Sequence, residues 1–341
     1  MIKLTYIVLV YNSAETIIRT LESIYRQPWS EDEYEVIVVD DCSPDNSSEL
    51  VKIFAQGHTN LTLVQQKQNH RAGTSLNIGI KMAKGTYVQA VGGDDLIEEG
   101  IVAAVNQNIK DDVDVSLDTC AQQLENGELQ LMTPTDYTDF PMLGIEFCEK
   151  VFETSPEFGG SQFYLWKTDF LRSIGHPFVE GKKMEDTDWV EYHLPLAKRI
   201  GYNKQSKYVY VYNSDSQVHK PSITTLADFV LQCYRRLEVS KKYAEEFPVY
   251  AEKIKSASDC RIANFLRYRN LTKFSNSDYV VLYKRLGDDV RRELAQNEYP
   301  RFTKLFLKYK NLTLALLWST AWVSRLGRAM VHRVRKGLVK N

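Results

Sequence analysis

Over the first hundred positions, short continuous apolar runs alternate with segments in which apolar residues recur at helical spacing. The runs are rich in Val, Ile and Tyr, and each ends in a polar turn, as strands buried on both faces of a sheet do. They cover residues 4–11, 34–39, 61–64 and 86–92, and the helical segments between them cover 17–25, 50–54 and 76–83. This alternation predicts an α/β fold built on a doubly wound, mainly parallel sheet.

The pattern changes further along the chain. Residues 113–117, 163–166 and 208–212 read as strands, and Asn126-Gly127 predicts a hairpin within 124–131. Leu96 onward looks helical, and from Ser222 helical spacing predicts a mostly α-helical extension. We therefore expect three parts, namely an α/β domain over 1–221, a helical subdomain over 222–300 and a tail over 301–341.

Composition restricts the class of protein. The 341 residues are 43% apolar and 26% charged, which is ordinary for a soluble globular chain. The five cysteines are scattered and none has zinc-ligand spacing, so we expect a reducing, cytoplasmic setting. We expect neither a signal peptide nor a transmembrane segment, because no run approaches the roughly 20 apolar residues needed to span a bilayer.

Charge is unevenly distributed, since residues 301–341 hold ten Lys or Arg and no Asp or Glu. The uncharged stretch 311–324 carries Trp318 and Trp322, which suits an amphipathic helix lying at a membrane interface. We expect the tail to bind an anionic membrane surface, placing the protein on the inner face of the cytoplasmic membrane. The alternative is a helix docked on the acidic body. Nucleic acid is disfavoured because no nucleic-acid-binding motif accompanies the charge.

Asp94 and Asp95 are the most informative candidates for chemistry. They follow the strand 86–92, and open α/β sheets bind ligands beyond the carboxyl ends of their strands. One or two carboxylates can hold a partly hydrated Mg²⁺ whose coordination is completed by phosphate oxygens. The pair therefore predicts a metal–diphosphate site, with a solvated helix start as the structural alternative.

Other polar residues follow neighbouring strands. Asp40-Asp41 ends the second strand and could accept hydrogen bonds from a ribose or a base, or could simply form a turn. Tyr11 ends the first strand and could stack on a nucleobase or pack in the core. These positions share one edge of a parallel sheet, so we expect them to face a single crevice. A glycine-rich dinucleotide fingerprint and a phosphate loop are both missing from this region.

A second acidic cluster occurs at Glu185-Asp186-Thr187-Asp188, before apolar helical positions. An Asp at such a place can act as a general base if it reaches a substrate hydroxyl. The alternative is that it only caps the helix.

With these motifs, the chain resembles family 2 glycosyltransferases of the GT-A fold, of the bacterial surface-polysaccharide type, over roughly residues 1–220. The resemblance rests on their order and spacing. The matching segments are Val10-Tyr11-Asn12, Val38-Val39-Asp40-Asp41-Cys42-Ser43, Asn77-Ile78-Gly79, Ala83 to Val88, Gly93-Asp94-Asp95 and Glu185-Asp186.

The resemblance implies a nucleotide-diphosphate-sugar donor, in the first instance a UDP-sugar, and a glycan or lipid-linked acceptor. It further implies a divalent cation, Mg²⁺ or Mn²⁺, and inversion at the anomeric carbon. Asp186 would be the catalytic base, and Asp94 and Asp95 would hold the metal. The donor would be contacted by Tyr11, Asn12, Asp41, Arg71, Asn77 and Asp94.

Two departures from the family pattern stand out. Gly92 occupies the place of the usual first Asp of the DXD motif, so the metal would rest on Asp94 or Asp95, with His219 as a conceivable later ligand. Where many members have Ala-Arg-Asn, this chain has Ser75-Leu76-Asn77, and Arg71 could replace the missing arginine. Gly92 also motivates the competing hypothesis, a catalytically silent nucleotide-sugar-binding or scaffold protein. A Rossmann methyltransferase is a weaker rival, since it would want a glycine-rich loop after the first strand.

Overall fold

The computed structural model describes residues 1–133, 140–154, 159–212, 222–265 and 276–296. The strands are β1 (Leu4–Val10), β2 (Tyr34–Asp40), β3 (Leu61–Gln65), β4 (Tyr87–Gly92), β5 (Leu96–Ile97), β6 (Val115–Gln123), β7 (Leu129–Leu131), β8 (Tyr164–Lys167) and β9 (Ile200–Val211). The helices are α1 (Ile17–Tyr25), α2 (Ser47–Ala55), α3 (Arg71–Met82), α4 (Ile101–Lys110), α5 (Gly144–Thr154), α6 (Thr168–Ile174), α7 (Thr187–His193), α8 (Ile223–Tyr243), α9 (Pro248–Phe265), α10 (Asn276–Leu286) and α11 (Asp288–Leu294).

The chain forms two compact units, Met1–Ser216 with Lys242–Ala251, and Gln217–Lys241 with Glu252–Asn341. In the first unit, the described strands make one sheet of order β3-β2-β1-β4-β8-β6-β9-β5, with β7 paired to β6. The domain limits proposed from the sequence at 221 and 300 stay predictions.

The half of the sheet that carries the candidate chemistry is parallel. β1 pairs with β2 on one side and β4 on the other, and β2 pairs with β3, all in parallel register. β1, β2 and β4 are mainly apolar and almost wholly buried, because helices cross over between the strands, whereas the edge strand β3 is buried only in part. Beyond β4 the sheet becomes mixed, since β8 runs antiparallel between β4 and β6. The predicted α/β class and the predicted strands of this half are confirmed.

The hairpin expected at Asn126-Gly127 is also confirmed. β6 and β7 pair antiparallel, and Gly127 has a positive φ of 82°. The helix expected from Leu96 onward is wrong. Leu96–Ile97 forms the short strand β5, which pairs antiparallel with β9, and α4 begins only at Ile101. Gly100 separates them with a φ of 104°, and a Cβ there would lie 2.2 Å from the Gln205 carbonyl oxygen.

The second unit is helical, as the spacing after Ser222 predicts. Its buried core is formed by apolar side chains of α8 to α11, namely Ile223, Leu226, Ala227, Val230, Cys233, Leu237, Ile262, Leu282, Leu286 and Leu294. The buried Asp228 receives a bidentate pair of hydrogen bonds from Arg285, at 2.5 and 2.7 Å. Among the described helices, none has both the length and the apolar character needed to cross a bilayer. The tail 301–341 and His219 lie outside the described residues.

Candidate active site

Three adjacent parallel strands end at the same level of the sheet. Val10 at the end of β1 is in register with Asp40, and Leu9 is in register with Gly92 at the end of β4. The turns that follow carry Tyr11-Asn12, Asp41 and Asp94-Asp95, so these residues leave one edge side by side. This is the edge where open α/β sheets bind ligands.

The turns after β1 and β2 are tied to each other by polar contacts. Asn12 has a φ of 54°, and its amide donates to Ser43 Oγ at 3.1 Å. The next two amides, of Ser13 and Ala14, donate to side chains of the second turn at 2.9 Å each. Tyr11 takes part only through its carbonyl oxygen, which accepts from Ser13 Oγ at 3.3 Å, and 47% of its surface is exposed, so its ring is available to a ligand.

Asp41 is buried and is held by three donors. Its Oδ1 accepts from the His70 amide at 2.7 Å and from Gln66 Nε2 at 2.9 Å, and its Oδ2 accepts from the Arg71 amide at 2.7 Å. Arg71 has a φ of 73°, a left-handed conformation that is uncommon for a non-glycine residue. Asp41 therefore binds the amino end of α3 and fixes where the side chains of His70 and Arg71 begin.

Asn77 is engaged on both sides of its amide group. Its Nδ2 donates to the Phe178 carbonyl at 3.0 Å, and its Oδ1 accepts from the Phe178 amide at 2.9 Å. The Gly181 amide donates to the His70 carbonyl at 3.1 Å. A Cβ on Gly73 would lie 2.4 Å from the Val179 carbonyl oxygen. α3 thus holds the 178–186 loop, the segment from Phe178 to Asp186, closely against its own backbone.

Asp186 lies at the end of that loop and caps α7. Its Oδ1 accepts from the Thr187 amide at 2.8 Å. The structure therefore links Asp41, Arg71, Asn77 and Asp186 through α3. Trp189 in the following helix is buried and packs edge-to-face on buried Trp166 at 4.9 Å, so both belong to the core.

The segment from Gly92 to Ile97, here called the Asp94 loop, is held from several sides. Asp95 is 4% exposed, and its Oδ2 accepts from the Tyr208 hydroxyl at 2.5 Å while its Oδ1 accepts from the Val211 amide at 3.0 Å. Asp94 is half-buried beside it. Burial, and then the neighbouring Asp94 charge, raises the pKa of Asp95 to about 7.

Gly92 explains how the two carboxylates fit. A Cβ at this position would lie 2.6 Å from Asp95 Oδ2 and 3.0 Å from Asp94 Oδ1, so both oxygens sit over a space that a side chain would fill. Gly92, in the place of the usual first Asp, thus leaves open the space beside which both carboxylate oxygens lie in this loop.

A polar stripe of side chains on and just before α1 also supports the Asp94 loop. We use this term for Thr16, Arg19, Thr20 and Ser23, which lie on or just before α1. Thr16, Arg19 and Thr20 donate to the carbonyl oxygens of Gly93, Asp94 and Asp95, at 2.8, 3.2 and 2.8 Å. Ser23 Oγ accepts from the Ile97 amide at 3.1 Å.

The sequence analysis missed the polar stripe and Tyr208. The stripe has a signal, since positions 16, 19, 20 and 23 share one helix face at spacings of three, four and seven. Tyr208 has none, because an alternating Val-Tyr strand does not show which hydroxyl meets a carboxylate 113 residues earlier.

The Asp94 loop fits a hard divalent cation. It presents carboxylate oxygens, which Mg²⁺ and Mn²⁺ prefer, and Asp94 Oδ1 lies over the space at Gly92. The described residues contain no group of three or more His, Cys, Asp or Glu placed to cage a metal. A cation here would therefore take most of its ligands from water and from phosphate oxygens.

Comparison with known proteins decides the family. The model of glycosyl transferase family 2 matches residues 5–167, which includes all three strand ends. Residues 5–167 belong to glycosyltransferase family 2. The resemblance inferred from the motifs is confirmed.

Sequence relatives of this glycosyltransferase domain are bacterial. The uncharacterized glycosyltransferase YibD of Escherichia coli K12 is 26% identical over 261 residues, covering 73% of this chain and 74% of YibD. The poly(ribitol-phosphate) beta-N-acetylglucosaminyltransferase TarS of Staphylococcus aureus is 36% identical over 100 residues, covering 29% of this chain and 17% of TarS. For three further relatives, the match covers only part of the relative's own length, namely 37%, 33% and 22%.

Solved structures establish the fold. S. aureus TarS 1–349 in complex with UDP-GlcNAc superposes with a TM-score of 0.65 at 17% identity, covering 96% of this chain and 92% of that one. The mannosyltransferase PcManGT of Pyrobaculum calidifontis, in complex with GDP-Man and Mn²⁺, gives a TM-score of 0.51 at 18% identity, covering 94% and 86%. The predicted GT-A fold with a helical extension is confirmed.

Proposed function

We propose that this glycosyltransferase moves a sugar from a nucleotide-diphosphate sugar, a UDP-sugar in the first instance, to a hydroxyl group of a glycan or lipid-linked acceptor in cell-surface polysaccharide synthesis. The observation that carries the proposal is the alignment of three strand ends, which puts exposed Tyr11, buried Asp41 and the Asp94 loop along one edge. The TarS and PcManGT complexes, which hold UDP-GlcNAc and GDP-Man, support a nucleotide-sugar donor.

The donor would lie along this edge. Tyr11 offers a ring face for the nucleobase, and Asn12 and Asp41 flank it from the two turns. Arg71 starts from the α3 end that Asp41 fixes, so its guanidinium is available to the phosphates or the base. Asp94 and Asp95 mark the diphosphate end. A bound Mg²⁺ or Mn²⁺ at this end would neutralise charge on the diphosphate.

The reaction is a single displacement with inversion at the anomeric carbon. The acceptor oxygen forms a bond to C1 as the bond from C1 to the diphosphate oxygen breaks, and that electron pair leaves with the nucleoside diphosphate. Asp186 takes the acceptor proton on a carboxylate oxygen. A general base of this kind contributes about 10²- to 10⁴-fold. Asn77 keeps the 178–186 loop in place and so orients Asp186.

A catalytically silent nucleotide-sugar-binding protein of the same fold is the other candidate. It was motivated by Gly92, and the packing of Asp94 and Asp95 over Gly92 supplies a structural reason for the glycine instead. Metal-dependent release of nucleoside diphosphate from a panel of nucleotide sugars with Mn²⁺ separates the two, because a silent binder releases none.

Cys42 provides a direct test of the donor site. It lies between Asp41 and Ser43 and is exposed, and among the five cysteines only Cys260 is also exposed. In a Cys260→Ser variant, UDP with Mn²⁺ should slow alkylation of Cys42 by a maleimide. In the matched Cys42→Ser variant, labelling of Cys260 should be unaffected. Equal Cys42 labelling with and without UDP and Mn²⁺ would remove the donor from this edge.

A further inference from the structure

The Asp95 carboxylate is bound within the fold and is less exposed than that of Asp94. Both Asp95 oxygens are occupied within the fold, Oδ2 by the Tyr208 hydroxyl at 2.5 Å and Oδ1 by the Val211 amide at 3.0 Å. Asp95 is also 4% exposed, whereas Asp94 is half-buried. A carboxylate that binds a partly hydrated cation must be accessible to solvent, and Asp95 is not.

Tyr208 connects the two ends of the same turn. It is fully buried on β9, and its hydroxyl oxygen accepts from the Gly92 amide at 3.1 Å while donating to Asp95. Its backbone faces Ile97 in the β5–β9 pairing. One side chain therefore ties the end of β4 to the carboxylate three residues later, and its own strand holds the residues that follow.

The opposite side of the Asp94 loop is fixed as well. The polar stripe of α1 occupies the carbonyl oxygens of Gly93, Asp94 and Asp95 in turn. The backbone of the loop is thus held by α1, and the Asp95 side chain is held by β9. The Asp94 carboxylate, whose Oδ1 lies 3.0 Å from a Cβ placed on Gly92, projects from the backbone that these bonds hold.

We propose that Asp95 is the anchor of the Asp94 loop and no ligand of the cation, that Asp94 is the carboxylate that binds the cation, and that Tyr208 is the positioning residue that sets Asp94 through Asp95 and Gly92. This inference rests on the proposed function. It deepens the assignment of the metal to the Asp94–Asp95 pair, because it separates the roles of two adjacent residues that the sequence treats alike.

The decisive variant is Tyr208→Phe, which removes one hydroxyl and leaves both carboxylates in place. If Tyr208 positions Asp94, the dissociation constant of Mn²⁺ measured by calorimetry in the presence of UDP should rise about 10- to 100-fold, as for other residues that orient metal ligands. If Asp95 is itself a ligand, the loss of a competing hydrogen-bond donor should leave Mn²⁺ affinity unchanged or increase it. That result would overturn the inference.

The matched control is Tyr87→Phe. Tyr87 is the first residue of β4, at the opposite end of that strand from Gly92. It is buried like Tyr208, and its hydroxyl donates to the Val113 carbonyl at 2.5 Å. Both variants should lower the melting temperature, but only Tyr208→Phe should weaken Mn²⁺. Equal effects on Mn²⁺ binding would make the role of Tyr208 purely structural and would refute the proposal.

A second variant covers the case in which Tyr208→Phe does not fold. Thr20→Val removes the hydroxyl that holds the Asp95 carbonyl from α1, with nearly the same side-chain volume. It should also weaken Mn²⁺ binding in the presence of UDP, and unchanged affinity would count against the anchoring role. Failure of the proposed function looks different. Without a donor site the unmodified protein would bind neither UDP nor Mn²⁺ at this edge, and a silent binder would bind the nucleotide sugar but release no nucleoside diphosphate.

Discussion

Asp186 combines a structural and a proposed chemical role in one carboxylate. It caps α7 through the Thr187 amide, and it is the proposed acceptor of the substrate proton. Asp186→Asn separates the two roles, because Asn caps helices about as well as Asp but is no base. We predict that turnover falls by about 10²- to 10⁴-fold. The dissociation constant of UDP with Mn²⁺, measured by calorimetry, should stay unchanged.

Glu180→Gln is the control for Asp186→Asn. Glu180 is an exposed carboxylate in the same 178–186 loop, so its neutralisation tests whether any loss of negative charge there slows the reaction. We expect turnover near that of the unmodified protein. If Asp186→Asn retained full turnover, Asp186 would have no part in proton transfer.

Asp118 is a buried carboxylate on β6, and its described hydrogen-bond partners are neutral side chains. It accepts from Gln89 Nε2 at 2.8 Å and from Asn203 Nδ2 at 2.9 Å, and burial raises its pKa to about 7. In the unfolded chain its pKa is near 4. The folded state therefore holds the proton more tightly, so stability from this group is present at low pH and is lost between about pH 4 and pH 7.

Asp118→Asn should remove this pH dependence. An amide stays neutral at every pH. Gln89 Oε1 has no hydrogen-bond partner among the described residues, and after the Gln89 amide group rotates by half a turn it can accept from the NH₂ group of the new side chain. We predict that, as the pH rises from 5 to 8, the free energy of unfolding of the variant increases by roughly 2 to 4 kcal/mol relative to that of the unmodified protein. Urea unfolding at both pH values measures the difference. A difference that does not change with pH would show that Asp118 titrates as in the unfolded chain.

At the level of elements, α3 connects the proposed donor side to the proposed acceptor side. Its amino end is held by Asp41, and one face holds the 178–186 loop through Asn77. Asn77 was expected from the resemblance to bind the donor, and that role stays a prediction. Its two hydrogen bonds to Phe178 favour a bracing role, since they use both ends of its amide.

Asn77→Ala distinguishes the two roles. Removing the side chain leaves the amide and carbonyl of Phe178 without these partners, which costs about 1 to 3 kcal/mol for each buried group left unsatisfied. We predict a loss of stability in urea unfolding and a fall in kcat, with the KM for the donor unchanged. Lys81→Ala, one turn later on α3 and exposed, is the control and should change neither quantity. A raised donor KM at unchanged stability would make Asn77 a donor contact.

The parallel half of the sheet could be predicted from local pattern, because buried β-branched runs and crossover helices each leave a period in the sequence. Asp41, Asp94 and Asp186 became candidates for a related reason, since each flanks a recognisable strand or helix, and their roles stay predictions. The remainder depends on long-range contacts. β5 exists because Leu96 and Ile97 meet β9, more than a hundred residues later, and the bracing role of Asn77 depends on a loop 101 residues away.

At the level of the whole molecule, charge is the feature the fold does not explain. The ten basic residues of 301–341 follow an acidic body, and the net charge of the chain is −1. A basic segment with interfacial tryptophans would bring the enzyme to an anionic membrane, where a lipid-linked acceptor resides. Membrane attachment would then raise the local concentration of the acceptor near the proposed donor site.

This proposal predicts flotation of the full chain with vesicles that contain phosphatidylglycerol. Each Lys or Arg near an anionic surface contributes about 1 kcal/mol, so replacing four arginines by Gln should weaken binding by roughly a hundred- to a thousandfold. The four are Arg325, Arg328, Arg333 and Arg335. Higher salt should release the unmodified protein, because exposed charges are screened beyond about 8 Å at physiological ionic strength.

The control must remove the same charge from elsewhere on the protein. Four lysines of the first unit are exposed and can be changed to Gln together, namely Lys52, Lys81, Lys84 and Lys110. If the tail is a local membrane anchor, this variant keeps binding because its net charge falls equally while 301–341 is intact. If net charge alone governs binding, both variants lose it to the same extent. If the tail instead docks on the acidic body, replacing its four arginines leaves flotation as weak as it was and lowers the melting temperature.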